Sequence, residues 1–244
     1  MELRVNTIDS LALGKTVLDL SDLAENDDLA AIEREYVAEH KPAYVAALAD
    51  VRDLGAIHLL EKHGFFFMES QIKMSCHITN RCNTEGFHYR FEVVESEEDL
   101  APILDIASSA FSQDRFSVDP LIPPGVSAKR YRLYIMKSFA ADDERVYRLV
   151  HETTGETVAF RTHRIRDNRE ALLLLGAVKP EYENSPMTRI SEFFEINALR
   201  EQGIRHIYTH ISSRQSPLAN LEIKGIGFRV EGAAVLLRKW YGQG

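Results

Sequence analysis

The sequence predicts a mixed α/β chain in which strands alternate with helices. Three observations carry that expectation. Residues 16–74 alternate strand, helix, strand, helix, strand. The run Ala171–Val178 is continuously apolar, as suits a strand buried on both faces, and it leads through a polar turn into a helix. An internal echo links the two halves. Ala56–Phe65 ends Leu-Glu-Lys-His-Gly-Phe, Ala219–Phe228 ends Ile-Lys-Gly-Ile-Gly-Phe, and each follows a short apolar strand. Both ends of the echo are offset by 163 residues.

Each element has its own signal. Thr16–Leu20 reads as a strand and Leu29–Glu39 as a helix stopped by Pro42. Ala43–Leu48 is a buried strand. Asp50 and Asp53 can cap the next helix, which carries Ile57, Leu59 and Leu60 and stops at Gly64. Phe65–Met74 is a strand with partial alternation. Ser75–Gly86, with Asn80, Asn83 and Gly86, has the composition of a linker. These signals divide the chain into units at 1–80 and 87–244.

The second unit opens with the alternating strand His88–Val94. Ser96–Asp99 starts a helix with carboxylates in its first turn, running to Ala110. A loop at Asp119–Gly125 precedes a helix at Ser127–Phe139. Thr153-Thr154-Gly155 turns a hairpin between Arg145–His151 and Glu156–Arg164. After Ala171–Val178 come a helix at Met187–Gln202, a strand at His206–Ser212, a helix at Ala219–Gly225 and two strand-like runs within Phe228–Lys239.

Composition excludes several classes. Hydrophobic residues are 45% and charged residues 27% of 244, enough to build a core. Asp plus Glu total 37 against 29 Lys plus Arg, a formal charge of −8, which disfavours a nucleic-acid backbone binder. Cys76 and Cys82 form no zinc-knuckle pattern, so no metal is expected and reduced thiols of a cytoplasmic protein are. The start of the chain has no signal-peptide pattern and no apolar run reaches membrane-spanning length, so no membrane insertion is expected. A nucleophile elbow, a GxxxxGK loop and HExxH are all missing, and His163, His206 and His210 are scattered.

The passage Ala171–Arg189 carries the chemistry. A strand delivers the chain to a helix N-terminus, where unpaired N–H groups and the dipole can hold a diphosphate, with Arg189 adding charge. A plain loop before an ordinary helix is the alternative. Upstream, Arg115 can pair with a phosphate, and Phe111 or Phe116 can stack on a base or sugar, with Tyr131 and Tyr134 on the next helix. The alternative there is that both phenylalanines are core and Arg115 is salt-bridged.

Val178-Lys179-Pro180 and the following helix resemble the V-x-P segment and acyl-CoA turn of the GCN5-related N-acetyltransferase (GNAT) superfamily. Residues 111–120, Phe-Ser-Gln-Asp-Arg-Phe-Ser-Val-Asp-Pro, resemble the A-F-x-x-S/D-R-F-x-x-D-P segment of bacterial TDP-amino-sugar N-acyltransferases of the TDP-fucosamine type. The resemblance implies a GNAT fold, a central mixed twisted sheet of parallel and antiparallel strands flanked by helices, in 87–244, preceded by a truncated GNAT-like copy in 1–80. It implies transfer of an acetyl or short hydroxyacyl group, such as 3-hydroxybutyryl, from acyl-CoA to the amine of a TDP-linked sugar. Ala177 or Val178 would supply the backbone oxyanion donor. Gly176, Ala177, Val178, Met187, Thr188 and Arg189 would contact the donor, with Ser213, Ser216 and Asn220 beside its pantetheine arm. Phe111, Asp114, Arg115, Phe116, Tyr131 and Tyr134 would face the acceptor.

The chain departs from that pattern in two places. Glu183, Pro186 and Thr188 replace the family's Gln/Arg and two small residues, and proline has no N–H to give. Ile223 stands where related sugar enzymes carry an acidic tyrosine, leaving the general acid or base unassigned. A GNAT-like module that binds a ligand without turnover, or transfer to a peptide or amino acid, are the alternatives. A homodimer is compatible with the sequence, though no feature specifies one.

Overall fold

The computed structural model describes residues 1–111, 113–166, 169–183 and 185–241. Ser112 of the 111–120 segment lies outside the described residues. The first half contains β1 (Glu2–Val5), α1 (Thr7–Leu13), β2 (Val17–Ser21), α2 (Leu29–His40), β3 (Tyr44–Asp50), α3 (Leu54–Lys62) and β4 (Phe66–His77). The second contains β5 (Tyr89–Val93), α4 (Glu97–Ala110), α5 (Arg115–Val118), α6 (Val126–Ala140), β6 (Glu144–His151), β7 (Thr157–Arg166) and β8 (Glu170–Val178). It ends with α7 (Met187–Glu201), β9 (His206–Ser212), α8 (Ser216–Leu221) and β10 (Arg229–Trp240).

Local chemistry explains the helix starts. Asn6, Asp28, Asp53 and Ser96 each accept a hydrogen bond from the N–H three residues on, satisfying a donor the helix cannot. Gly227, at φ 94°, ends a π-helical turn over Glu222–Ile226 that continues α8.

The described strands form one mixed sheet in the order β1-β2-β3-β10-β4-β9-β8-β7-β6-β5. The β2–β3 and β8–β9 pairs are parallel and the rest antiparallel. The last strand in sequence, β10, lies between β3 and β4, pairing Trp240 with Tyr44 and Arg229 with Ser75. The sheet is therefore continuous across the 80–87 connection.

Helices α4 and α6 cover one face of β6–β8, burying Ile103, Ile106 and Ile135 against Val146 and Phe160. Helix α7 covers the opposite face, packing Ile196 and Leu199 on Ala171, Leu173 and Ile207. Helices α2 and α3 bury Leu29, Tyr36 and Leu60 against Leu18, Val45 and Leu237. Each such aliphatic side chain contributes about 1.5–3 kcal/mol on burial.

Two local expectations need correction. β4 runs on through Cys76 and His77, so the 75–86 segment begins as strand, because β9 pairs along it from Gln71 to His77. Phe228–Lys239 holds one long strand, not two; register shifts at Val230/Gly232 and Leu236/Leu237 absorb the breaks in its pattern. β1 and α1, which carry weak sequence signals, are also present.

Candidate functional site

Strands β8 and β9 are hydrogen-bonded only at their beginnings. Glu170, Ala171 and Leu172 pair with His206, Ile207 and Tyr208, and beyond them the strands separate. From Leu173 to Val178, β8 keeps only its β7 neighbour. This corrects the expectation of a strand buried on both faces: only Ala171, Leu173 and Val178 are buried, and the rest border an opening.

The register decides which amides face that opening. Lys179 donates its N–H to Val158 O, making 179 and 158 a hydrogen-bonded pair of the antiparallel β7–β8 ladder. Such pairs alternate, so Ala177 bonds Phe160 while Gly176 and Val178 direct their backbone groups away from β7. Val178, and not Ala177, is thus the one of the two expected donors that points into the gap. A bulge at Leu174–Leu175 is filled by Thr162, whose Oγ1 accepts the Leu175 N–H at 3.0 Å.

A cavity of ≈ 410 Å³ passes through the gap, with lining from both faces of the sheet. On the α4–α6 side it meets Phe111, Tyr131 and Tyr134; Phe111 stacks on Tyr131 with ring centroids 3.9 Å apart. Glu69 of β4 lies there, accepting from Ser212 Oγ at 2.7 Å and Gln71 Nε2 at 3.3 Å. Glu144 is held by Lys137 Nζ at 2.7 Å, Ser138 Oγ at 2.5 Å and Arg164. Burial pushes the Glu144 carboxyl up, but those three donors outweigh it and hold the group below its usual range.

On the α7 side the cavity meets Arg161, Glu192, Glu195 and Glu222. Arg161 crosses directly over Gly176, where a Cβ would come 2.6 Å from its Cδ, so any larger residue would have to displace the Arg161 side chain. Its guanidinium donates to Thr188 O at 2.6 Å and to Ser191 Oγ at 3.0–3.1 Å. Beside it His163, fully buried, shares a 3.0 Å hydrogen bond through Nδ1 with Glu195.

Several expected contacts fall elsewhere. Phe116 is 1% exposed and packs with Tyr44 in the core, so it is no stacking platform. Arg115 donates to Asp9 Oδ2 at 2.8 Å, and Arg130 to Asp9 Oδ1 at 2.6 Å. Asp114 accepts from Arg130, Ser127 and the Ser117 N–H. Asp114 and Arg115 both line the cavity, but the charge of Arg115 is already matched by Asp9 of α1.

The turn before α7 is also partly committed. Ser185 Oγ accepts the Met187 N–H at 3.1 Å, leaving the amides of Thr188 and Arg189 with no cap from a described side chain. The Arg189 side chain does not add charge at that turn; it lies on Phe193 and against Gly225. Ser213, Ser216 and Asn220 are exposed, and Gln215, Leu218 and Glu222 line the cavity in their place. Among the described residues no group of three or more His, Cys, Asp or Glu could hold a metal, and no helix is long and apolar enough to cross a membrane.

Sequence reasoning missed Glu69, Arg161, Glu192 and Glu222. A signal existed for Glu192 and Glu195: both sit on the helical stripe of Ser191, Ile196 and Leu199, which should be apolar throughout.

No family model and no curated protein matches the sequence. Solved structures do match its shape. A GCN5-related N-acetyltransferase from Sphaerobacter thermophilus superposes with a TM-score of 0.69 at 14% identity, over 98% of this chain and 76% of that one. The chain has the GNAT fold. A second such protein, from Kribbella flavida, gives 0.63 at 13% identity over 93% and 82% of the two chains. A tandem GNAT protein from the clavulanic acid biosynthesis pathway gives 0.59 at 14% identity over 88% and 70%. The mixed sheet with flanking helices is therefore the expected architecture, and the parting of β8 and β9 is the gap within this GNAT fold.

Proposed function

We propose that this chain is an acyl-CoA-dependent N-acyltransferase. The observation that carries the reading is the gap between β8 and β9, through which the cavity joins the two faces of the sheet. An acyl donor approaching from α7 and an amine approaching from α4–α6 would meet there. Holding two reactants in line can supply about 7–11 kcal/mol of a transfer barrier.

The residues fit such a donor. The outward backbone groups of Gly176 and Val178 can pair with the amides of a pantetheine arm. The amides of Thr188 and Arg189 at the start of α7 suit its diphosphate. The Val178 N–H can also stabilise the oxyanion that develops at the thioester carbonyl. On the opposite side Glu69, with no cationic partner among its hydrogen bonds, can orient an ammonium and accept its proton.

For the acceptor we propose an amino sugar linked to TDP, with its ring on the Phe111–Tyr131 pair, and for the cargo an acetyl or short hydroxyacyl group. We propose likewise that residues 1–80 are a truncated GNAT-like copy, joined to the rest by β10 lying between β3 and β4. A second reading, an amine acceptor without a nucleotide, is favoured by the pairing of Arg115 and Arg130 with Asp9, which leaves the 111–120 segment no unmatched cation for a phosphate.

The test is release of coenzyme A by the purified chain. Acetyl-CoA alone should give little free thiol, and TDP-fucosamine or spermidine added with it should give sustained release, identifying the acceptor class. No release with any donor and any amine of a broad panel contradicts the reading.

A further inference from the structure

Helix α7 and the π turn after α8 bring two carboxyls together inside the cavity. Glu192 is fully buried, Glu222 is 4% exposed, and both line the chamber on the α7 side of the gap. The two side chains are within hydrogen-bonding reach of each other. Yet neither Glu192 oxygen, nor Oε2 of Glu222, receives a hydrogen bond from any N–H or O–H of the described residues. Arg161, which also lines the chamber, spends its hydrogen bonds on Thr188 and Ser191. Arg189 lies against Gly225 of the same π turn and its charge acts on Glu192, but it makes no hydrogen bond to either carboxyl.

Two buried carboxylates that face each other with no hydrogen-bonded cation are costly in the doubly charged form, because the desolvation of each adds to their repulsion. The pair is satisfied only when it shares a proton, as paired carboxyls do at close range. Burial, together with the neighbouring charge, pushes both groups upwards. The charge of Glu195 acts in the same direction on both, Arg161 opposes it at both, and Arg189 opposes it at Glu192. A π turn at this point is a further sign of function, since such turns cost regularity and concentrate at working sites.

We propose that Glu222 is the proton donor to the departing thiolate, with Glu192 as the positioning partner that keeps that proton in place. The inference rests on the acyltransferase reading above. The amine lone pair forms the C–N bond, the C–S bond breaks with its electron pair passing to sulfur, and sulfur takes the proton from Glu222. The proton lost from nitrogen passes to Glu69 and then to water, which reloads the carboxyl pair. The leaving group thus departs as a neutral thiol within a chamber that disfavours a new anion.

The experiment uses the full chain, acetyl-CoA, and hydroxylamine as a small probe nucleophile that needs no acceptor site. Glu222→Gln should lower kcat by about 10²-fold or more, the usual worth of a positioned acid. It should leave KM and calorimetric affinity for acetyl-CoA unchanged, and should remove the alkaline limb of the kcat–pH profile. Glu192→Gln should shift that limb to lower pH. A variant with wild-type kcat and an unchanged profile overturns the assignment while leaving the acyltransferase reading standing. A wild-type chain that transfers no acyl group takes both down.

An infrared measurement separates the two without turnover. The wild type at neutral pH should show a protonated-carboxyl C=O stretch that Glu222→Gln abolishes, and a wild-type spectrum without it refutes the proposal whatever the activity. Folding of the variant is checked by melting. A native carboxyl raised above its unfolded value adds stability at low pH that is lost as pH rises. Glu222→Gln should therefore melt at or above the wild type in alkaline buffer.

Discussion

Replacing Asp9 with alanine is expected to destabilise the chain by about 3–5 kcal/mol, the usual cost of stranding buried charge. Asp9 has no exposed surface and accepts from Arg115, Arg130 and the Tyr134 hydroxyl, so one carboxylate joins α1 to α5 and α6. Without it, two guanidinium groups remain in a poorly hydrated cluster, with Arg115 Nε already lacking a partner. At about 2–4 °C per kcal/mol for a chain of this size, melting should fall by roughly 10 °C. Burial raises the Asp9 carboxyl, but the charges and hydrogen bonds of Arg130 and Arg115 outweigh it and bring it below its usual value. Its contribution is therefore complete above the unfolded aspartate range, about pH 4, and is lost only as pH falls through the lower native value. Urea denaturation at neutral pH and in acid checks both parts: the gap between wild type and variant should be wide in the first and narrow in the second.

Replacing Val178 with proline should cost about 10²–10³-fold in kcat for acyl transfer, the typical worth of one oxyanion donor. The substitution removes a single N–H, at the last residue of β8, where the ladder does not use it. Ala177 and Lys179 keep their bonds to β7, so the strand should persist and coenzyme A affinity should change little. The kcat and KM of the variant, set beside calorimetry, distinguish loss of this donor from loss of the whole groove. A fall in affinity with kcat retained would place the Val178 amide on the pantetheine arm only.

Much of the fold was legible because strand and helix periodicities are local. The capping acids Asp53 and Ser96–Asp99, the turn at 153–155 and the apolar run before Val178 each announce their element. What escaped depends on distance along the chain. Helix α1 spans only seven residues, too few for periodicity, and its Asp9 meets Arg115 across 106 positions. No window of sequence shows β10 slipping between β3 and β4. Within the candidate site, the run 171–178 located the strand that borders the gap, but choosing between Ala177 and Val178 required the ladder register. Arg115 and Phe116 read as ligand contacts because an arginine beside an aromatic looks the same whether it faces solvent or core. Glu192 and Glu222 lie 30 residues apart on different helices, and only the closing of α7 on the π turn reveals them as a pair.

The most direct test of the acyl-donor groove is amide hydrogen exchange along β8 and the first turn of α7, with and without saturating acetyl-CoA. The amides of Gly176, Val178, Thr188 and Arg189 should slow on binding, while Ala177, already bonded to Phe160, should not change. Bound acetyl-CoA that leaves those four amides unaltered, or protects a different surface, would contradict the placement of the donor between β8 and β9.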